Sequence, residues 1–142
     1  FRSILAPAPN AQGAGFSALG PIMLANDYTG RLYFAAASSG GVPGAIAKAR
    51  LFDDVRNHDK PLDAAMQEGR LFADGAGTVY LEDAASGEKS AIAGAGMTVE
   101  GTESLGKVNA AYCPKSTPGS PDSCQFRNDY RGNGLVTTIN QQ

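Results

Sequence analysis

The order of local patterns along the 142 residues predicts a layered α+β fold. Two apolar runs joined by a turn come first, two stretches of helical periodicity follow, and several short strand-like segments come last. Runs of strands with helices packed on a face are typical of this class. The length suits a single domain over residues 1–142, in which the Ala-, Pro- and Gly-rich residues 1–16 are expected to form an extended arm.

Residues 21–26 and 31–37 predict a β-hairpin. Both runs are nearly all apolar, and Asp27-Tyr28-Thr29-Gly30 between them has the composition of a turn that ends in glycine. Strands without strict alternation of polar and apolar residues are usually covered on both faces. We therefore expect the hairpin to lie inside a sandwich.

Two helices are predicted next. From Val42 the apolar residues recur at helical spacing, so the first helix is expected to run to about Val55. Pro61 suits the start of a second helix, which Gly69 would end. Strands are expected over residues 78–81, 108–112, 124–126 and 135–139, whereas the Gly-rich stretch 84–107 gives no clear pattern.

Composition excludes several classes of partner. The net charge is −2 and the Lys and Arg residues are scattered singly, so no basic surface for nucleic acid is expected. No apolar stretch approaches the ~20 residues that span a bilayer. The first residues, from Phe1 onward, do not resemble a signal peptide and indicate a processed or shortened chain.

Two cysteines, Cys113 and Cys124, flank a segment rich in Pro, Ser and Gly. An even count with a spacer that can fold back favours a disulfide, and hence an oxidising compartment. The alternative is two unrelated reduced thiols. With both cysteines bonded and His58 the single histidine, in a polar linker, no metal site is expected and no cofactor is predicted.

The strongest local candidate for chemistry is Ser38-Ser39-Gly40-Gly41, between an apolar strand and the first predicted helix. Backbone N–H groups at a helix start lack partners within the helix and lie at the positive end of its dipole. Glycines at that point allow a carbonyl or carboxylate to approach closely, so the segment suits an oxyanion hole. An ordinary glycine turn is the alternative. A chymotrypsin-like serine site does not fit, because His58 follows the serine and a helix follows the glycines.

Two arginines near glycines, Arg70 and Arg131, could each bind a carboxylate in a forked geometry. Exposed structural arginines are the more frequent case, so we expect both on the surface. Residues 129–132 have the composition of a turn before the last strand.

Further segments become informative through their order. Ser17-Ala18-Leu19-Gly20-Pro21 precedes the first apolar strand, Gly30 closes the turn, and Gly40-Gly41 starts the helix; Leu62-Asp63-Ala64-Ala65 opens the second helix. Then come Glu68-Gly69-Arg70-Leu71-Phe72, Val79-Tyr80-Leu81-Glu82 and Asp129-Tyr130-Arg131-Gly132-Asn133-Gly134. This series resembles the small subunit of the gamma-glutamyltransferase (glutathione hydrolase) family over most of residues 17–139. The family has Ser-Ser-Met-Ser-Pro, a Gly-Gly helix start, Pro-Arg-Leu/Phe-His, a strand ending in Glu, and Asp-Pro-Arg-x-Gly-Gly.

The resemblance implies part of the α/β/β/α sandwich of N-terminal-nucleophile hydrolases, with residues 17–142 as the C-terminal part of the small subunit. It implies that Gly40 and Gly41 form the oxyanion hole and that Ser17 binds the γ-glutamyl carboxylate. Ala18 stands where the family has its second serine and lacks the hydroxyl, while Gly69 replaces a proline. The implied partners are a small γ-glutamyl substrate and the large subunit of the same precursor, in the periplasm or outside the cell.

The family's nucleophile is a threonine that self-cleavage exposes at a new N-terminus, where its amine acts as the base. This chain begins with Phe1, and Thr29, its first threonine, follows the Ser17 segment. We therefore expect the nucleophile to lie outside this chain, and the chain alone to be inactive. The alternative is a non-enzymatic secreted domain that keeps the scaffold for binding or assembly.

Overall fold

A computed structural model describes residues 2–3 and 20–136. The strands are β1 (Arg2–Ser3), β2 (Ile22–Asn26), β3 (Arg31–Ser39), β4 (Leu71–Ala73), β5 (Thr78–Glu82), β6 (Thr98–Thr102), β7 (Lys107–Thr117) and β8 (Gln125–Arg127). The α-helices are α1 (Gly41–Asn57), α2 (Leu62–Gln67) and α3 (Lys89–Gly94). Short 3₁₀ turns cover Asp83–Glu88 and Pro121–Ser123.

The described strands form two sheets. The larger has the order β1-β2-β3-β7-β8 with antiparallel neighbours throughout. The smaller has the order β4-β5-β6, where β4 is antiparallel and β6 parallel to β5. The crossover from β3 to β7 encloses α1, α2 and the whole of the smaller sheet.

One face of the larger sheet is covered by α1 and α2. Apolar side chains from β2, β3 and β7 pack there against those of the two helices, in one buried core: Ile22, Leu24, Phe34, Ala36, Val108 and Ala110 from the strands, and Ala47, Leu51, Val55, Leu62, Ala65 and Met66 from the helices. Phe34 and Phe52 meet edge to face, with ring centroids 5.2 Å apart. This packing explains why the helical periodicity begins where β3 ends.

The opposite face of this sheet carries an apolar row that runs across four strands. Met23 pairs with Ala35, Ala35 with Ala111, and Ala111 with Phe126. Met23 is 46% exposed and Phe126 is 40% exposed. The expectation that both faces of the hairpin are covered is therefore met on the helix side alone within the described residues. We call the side of the sheet that carries this row the open face.

Most elements predicted from sequence are confirmed, namely the hairpin, both helices and the strands at β5, β7 and β8. Four of the described strands and helices were not predicted, and all are short: β1 has two residues and β4 has three, while α3 has no buried residue and β6 is largely exposed. An element without a buried face shows no hydrophobic period. Leu135 and Val136 are not in a strand, and the rest of the predicted strand over 135–139 lies outside the described residues.

The predicted disulfide is present: Cys113 in β7 is bonded to Cys124, just before β8, with their Cα atoms 4.1 Å apart. Cys113 is buried at 1% exposure. The bond closes the loop that returns the chain to the edge of the larger sheet. Within the described residues, no helix combines the length and apolar character that crossing a bilayer requires.

Candidate functional site

The Gly-Gly turn lies at the start of α1, as the change of period predicted. Gly40 is the N-cap residue, with φ 93° and ψ 26°, and Gly41 has φ 68°. These left-handed values are accessible to glycine at little cost. Among the residues that the structure describes, no side chain caps this end of the helix, and its first turn contains no acidic residue. Within that part of the chain, the N–H groups of the first turn therefore meet no competing side-chain acceptor, and they lie at the positive end of the dipole.

Close backbone packing holds this helix start in place. A Cβ added to Gly40 would lie 2.7 Å from the Gly106 Cα, and one added to Gly106 would collide with the Gly44 backbone. A Cβ on Gly44 would in turn collide with the Ser39 carbonyl oxygen. Gly40, Gly44 and Gly106 thus form a contact between α1 and the turn before β7 that has no room for side chains. We call it the glycine contact.

Two cavities flank this region. One of about 320 Å³ is lined by Ser39, Gly40 and Pro43 on one side and by residues 104–107 on the other. A second of about 330 Å³ is lined by residues 37–39 of β3, by Lys107 and Asn109 of β7, and by Asp129 and residues 132–134. Ser39 and Lys107 are cross-strand partners and line both cavities. A ligand in the first cavity would lie directly beside Gly40.

Behind the glycine contact lies a buried cluster of four charged side chains. Arg70 donates to Asp129 at 2.7 Å, while Arg131 donates to Glu82 at 2.5 Å and to Asp129 at 3.2 Å. The four side chains are between 1% and 10% exposed. Two guanidinium groups and two carboxylates balance in charge, which offsets the desolvation of each.

The cluster also binds the backbone of the turn before β7 and of the start of β7 itself. Glu82 accepts from the Leu105 N–H at 2.7 Å, and Asp129 accepts from the Val108 N–H at 2.7 Å. Arg70 donates to the Gly106 carbonyl at 2.8 Å. Because Gly106 is the residue that contacts Gly40 and Gly44, the cluster and the helix start form one continuous structure.

Burial alone would raise the pKa of the Glu82 carboxyl. Hydrogen bonds from Arg131, Leu105 and Arg70 outweigh that effect and hold the pKa below its ordinary value. For Asp129 burial acts in the same upward direction, and donors that include Arg131, Val108 and Arg70 again lower the pKa. The pKa of Arg131 is raised, because its two carboxylate partners outweigh the effect of burial. All three groups are therefore charged at neutral pH.

The expectation that Arg70 and Arg131 lie on the surface is wrong. Arg70 is 8% exposed and the Arg131 side chain 2%. Burial is tolerated because each guanidinium finds a carboxylate and backbone carbonyls far away in sequence; Arg131 also donates to the carbonyls of Met66 and Glu68. The series of segments did contain Arg70, Glu82, Asp129 and Arg131, but nothing local in the sequence joins them.

The single histidine is not brought to the turn. His58 is 63% exposed at the far end of α1 and contacts Asp53. A helix of 17 residues is about 25 Å long, so His58 cannot serve as a base for Ser39. Ser17 lies outside the described residues. Among the residues that the structure describes, no three His, Cys, Asp or Glu side chains are grouped as a metal site requires.

Comparison with known proteins finds similarity in structure. No family model matches the sequence, and no curated protein matches it. The α+β fold is similar to that of solved gamma-glutamyltranspeptidases, and this confirms the resemblance at the level of the fold. A gamma-glutamyltranspeptidase from Pseudomonas nitroreducens, complexed with L-DON, matches with a TM-score of 0.73 at 18% identity, over 94% of this chain and 68% of that chain.

Two further solved structures agree. A mutant gamma-glutamyltranspeptidase from Helicobacter pylori matches with a TM-score of 0.66 at 16% identity, over 87% of this chain and 66% of that chain. The transpeptidase CapD from Bacillus anthracis matches with a TM-score of 0.63 at 21% identity, over 84% of this chain and 69% of that chain.

Proposed function

We propose that this chain is the C-terminal part of the small subunit of a gamma-glutamyltransferase-like enzyme that hydrolyses or transfers γ-glutamyl groups. The observation that carries the proposal is the Gly40-Gly41 helix start, which opens beside a cavity in a fold shared with gamma-glutamyltranspeptidases. Residues 17–142 are the small-subunit-like part, and residues 1–16 are a preceding arm. The disulfide favours an oxidising compartment, and we place the parent enzyme in the periplasm or outside the cell.

In this proposal the backbone N–H groups at Gly40 and Gly41 bind the oxyanion that forms when the γ-carbonyl is attacked. Donors of this kind are each typically worth about 3 kcal/mol of transition-state stabilisation. The left-handed glycine backbone and the glycine contact hold the donors before substrate arrives. The charged cluster supports these donors indirectly, because it binds the turn that contains Gly106, and Gly106 contacts Gly40.

Substrate binding is assigned to Ser17, whose hydroxyl would bind the γ-glutamyl carboxylate. Ser17 precedes Gly20 by three residues, and Gly20 leads into β2, beside the strand that ends at Ser39. Ala18 cannot contribute a hydroxyl. We therefore expect the carboxylate to be held by fewer donors than in enzymes with a Ser-Ser pair.

The nucleophile in this proposal is a threonine outside this chain. Thr29 lies in the exposed turn between β2 and β3, where its N–H donates to the Asn26 side chain. A mid-chain threonine has no free α-amine to act as its base. The acyl-enzyme would therefore form on a residue supplied by the rest of the precursor.

The partner in this proposal is the large subunit of the same precursor. The open face, with Met23 and Phe126 exposed, offers an apolar surface for the second sheet of an α/β/β/α sandwich. The alternative function, a non-enzymatic secreted domain, would use the same face for binding or assembly without catalysis.

The experiment compares the purified chain with the product of the same gene expressed together with its upstream coding sequence. Each is incubated with a γ-glutamyl anilide, and release of the amine is followed. We expect no turnover from the chain alone and turnover from the longer product, whose intact mass should show a subunit that begins with threonine. An inactive longer product without such a subunit would favour the non-enzymatic alternative.

Ser39→Ala in the chain is the control for a serine nucleophile. Turnover by the chain alone that disappears in this variant would contradict the proposal and would place the nucleophile in the Gly-Gly turn. In the longer product, a large loss of activity on replacing the new N-terminal threonine by alanine is the matching expectation.

A further inference from the structure

The second cavity, of about 330 Å³, lies on the open face of the larger sheet. Side chains alternate along a strand, so Lys107 and Asn109 of β7 share their face with Ala111 of the apolar row. The volume falls in the range of small-molecule pockets. Ser39 lines this cavity and also the one beside Gly40. A ligand in the second cavity would therefore lie next to the Gly-Gly turn.

Lys107 gives this cavity an unbalanced positive charge. Its exposed ammonium group forms no ion pair or hydrogen bond with any residue that the structure describes. The other charged residue in the lining is Asp129, whose carboxylate is already bonded to Arg70 and Arg131 in the balanced cluster. The nearby start of α1 adds the positive end of a helix dipole. An anion that enters the cavity is therefore attracted, and its charge is not opposed by a free carboxylate of the lining.

Hydrogen-bond donors accompany this charge. The Asn109 Oδ1 accepts from the Asp129 N–H at 3.2 Å, which leaves the Asn109 Nδ2 with two N–H donors that no described residue accepts. The hydroxyl of Ser39, the cross-strand partner of Lys107, lies on the same face. The lysine stem passes Gly132, where an added Cβ would lie 3.4 Å from the Lys107 Cδ. A carboxylate has two oxygens with about four acceptor sites, so it can accept from all three side chains.

We propose that this cavity binds a carboxylate, held by the Lys107 ammonium group together with the Asn109 amide and the Ser39 hydroxyl. Because Ser39 adjoins the Gly-Gly turn, the ligand is a small acyl compound with a free carboxylate close to its reacting carbonyl. The identity of the reacting carbonyl rests on the proposed function, whereas binding of a carboxylate rests on the cavity alone. Lys107 is then a specificity-determining residue, which favours anionic ligands over neutral amides of the same shape.

The test measures binding of glutarate to the full chain, with glutaramide, its uncharged diamide, as the comparison. Backbone amide resonances of Ser39, Lys107 and Asn109 report occupancy of the cavity. We expect glutarate to shift these resonances and to bind at least about tenfold more tightly than glutaramide, the order of effect of a charge-assisted hydrogen bond. Lys107→Met keeps most of the stem and removes the charge. It should raise the dissociation constant for glutarate about tenfold and leave that for glutaramide unchanged, whereas Lys107→Arg should retain most of the affinity.

Two further variants control for indirect effects. Lys115 is an exposed lysine of the same strand that does not line the cavity, so Lys115→Met should leave the affinity for glutarate unchanged. Asn109→Asp keeps an acceptor for the Asp129 N–H and replaces the two N–H donors by an anion. It should abolish binding of glutarate while the melting temperature stays nearly the same.

Equal affinities for glutarate and glutaramide would overturn the proposal, and so would an affinity for glutarate that Lys107→Met leaves unchanged. Glutarate that shifts none of the three resonances would also overturn it. Turnover of the γ-glutamyl anilide by the longer product tests the proposed function separately. Glutarate binding beside an inactive longer product would support the carboxylate site and contradict the enzymatic role of the turn. Turnover without glutarate binding would do the reverse.

Discussion

At the scale of single residues, the charged cluster depends on complete pairing. Removing one member of a buried ion pair typically costs about 3–5 kcal/mol, because the partner is left charged and desolvated. Arg131 is the most connected member, bonded to both carboxylates and to two backbone carbonyls, with the exposed Tyr130 ring 4.2 Å from its guanidinium carbon. Loss of Arg70 or Glu82 would also remove a hydrogen bond to the turn that contains Gly106.

The lowered pKa values of Glu82 and Asp129 predict a loss of stability in acid. A carboxyl whose pKa is lower in the folded state contributes stability above its unfolded pKa, and that contribution disappears as the pH falls through the folded value. We expect the free energy of unfolding to decrease steadily below about pH 4, near the ordinary range of these groups. Urea titrations of the chain between pH 7 and pH 3 measure this decrease in the free energy of unfolding.

Glu82→Gln isolates the contribution of one of these carboxylates. At neutral pH we expect it to lower the free energy of unfolding by about 3 kcal/mol, and the difference from the unaltered chain should shrink in acid. Glu103→Gln, on the exposed loop after β6, should stay within about 0.5 kcal/mol at every pH. An equal effect of both substitutions would show that Glu82 contributes no more than a surface charge.

At the scale of elements, the contact between α1 and the turn before β7 matters most. It brings the start of the helix against the cluster through backbone alone, since Gly40, Gly44 and Gly106 leave no space for a Cβ. A side chain here would have to push α1 away from β7. The amides proposed to bind the oxyanion would move with the helix.

Gly106→Ala tests this contact, and Gly75→Ala is its matched control. Both glycines have positive φ, 76° and 81°, but an added Cβ meets backbone at Gly106 and nothing within 4 Å at Gly75. Each substitution carries the cost of a left-handed alanine, so their difference reports the steric contact. We expect Gly106→Ala to be more destabilising than Gly75→Ala by about 1–3 kcal/mol, the range for overpacking. Equal losses in thermal or urea unfolding would contradict a close contact.

At the scale of the whole molecule, the larger sheet has one face covered by helices and one open face. A sheet with an apolar row on its uncovered side is the arrangement expected of one half of a sandwich. In the proposed enzyme the large subunit completes that sandwich.

Ala110→Lys and Ala111→Lys test the two faces with adjacent residues of β7. Ala110 is 7% exposed on the helix side, so a lysine there should prevent folding. Ala111 lies on the open face, where a lysine should lower the free energy of unfolding of the isolated chain by less than about 1 kcal/mol. When the gene is expressed with its upstream sequence, Ala111→Lys should abolish assembly with the upstream part. Assembly that survives with full activity would mean that the open face is not the interface.

The sequence by itself determined the features that depend on near neighbours. The hairpin, the helix start at Gly41 and the end of α1 follow from periodicity and turn chemistry, which are properties of adjacent residues. The disulfide followed from a short spacer, and the order of segments was enough to indicate the fold.

Only the tertiary structure decided which distant groups meet. Arg70 and Asp129 are separated by 59 residues, and Glu82 and Arg131 by 49. An isolated arginine is expected on the surface, because its desolvation is repaid only by a carboxylate that the local sequence does not contain. Gly106 and Lys48 are similar cases. In the sequence Gly106 is one glycine among many, and only the fold places it against Gly44. Lys48 is an ordinary helix lysine until the fold brings it to the Gly20 carbonyl.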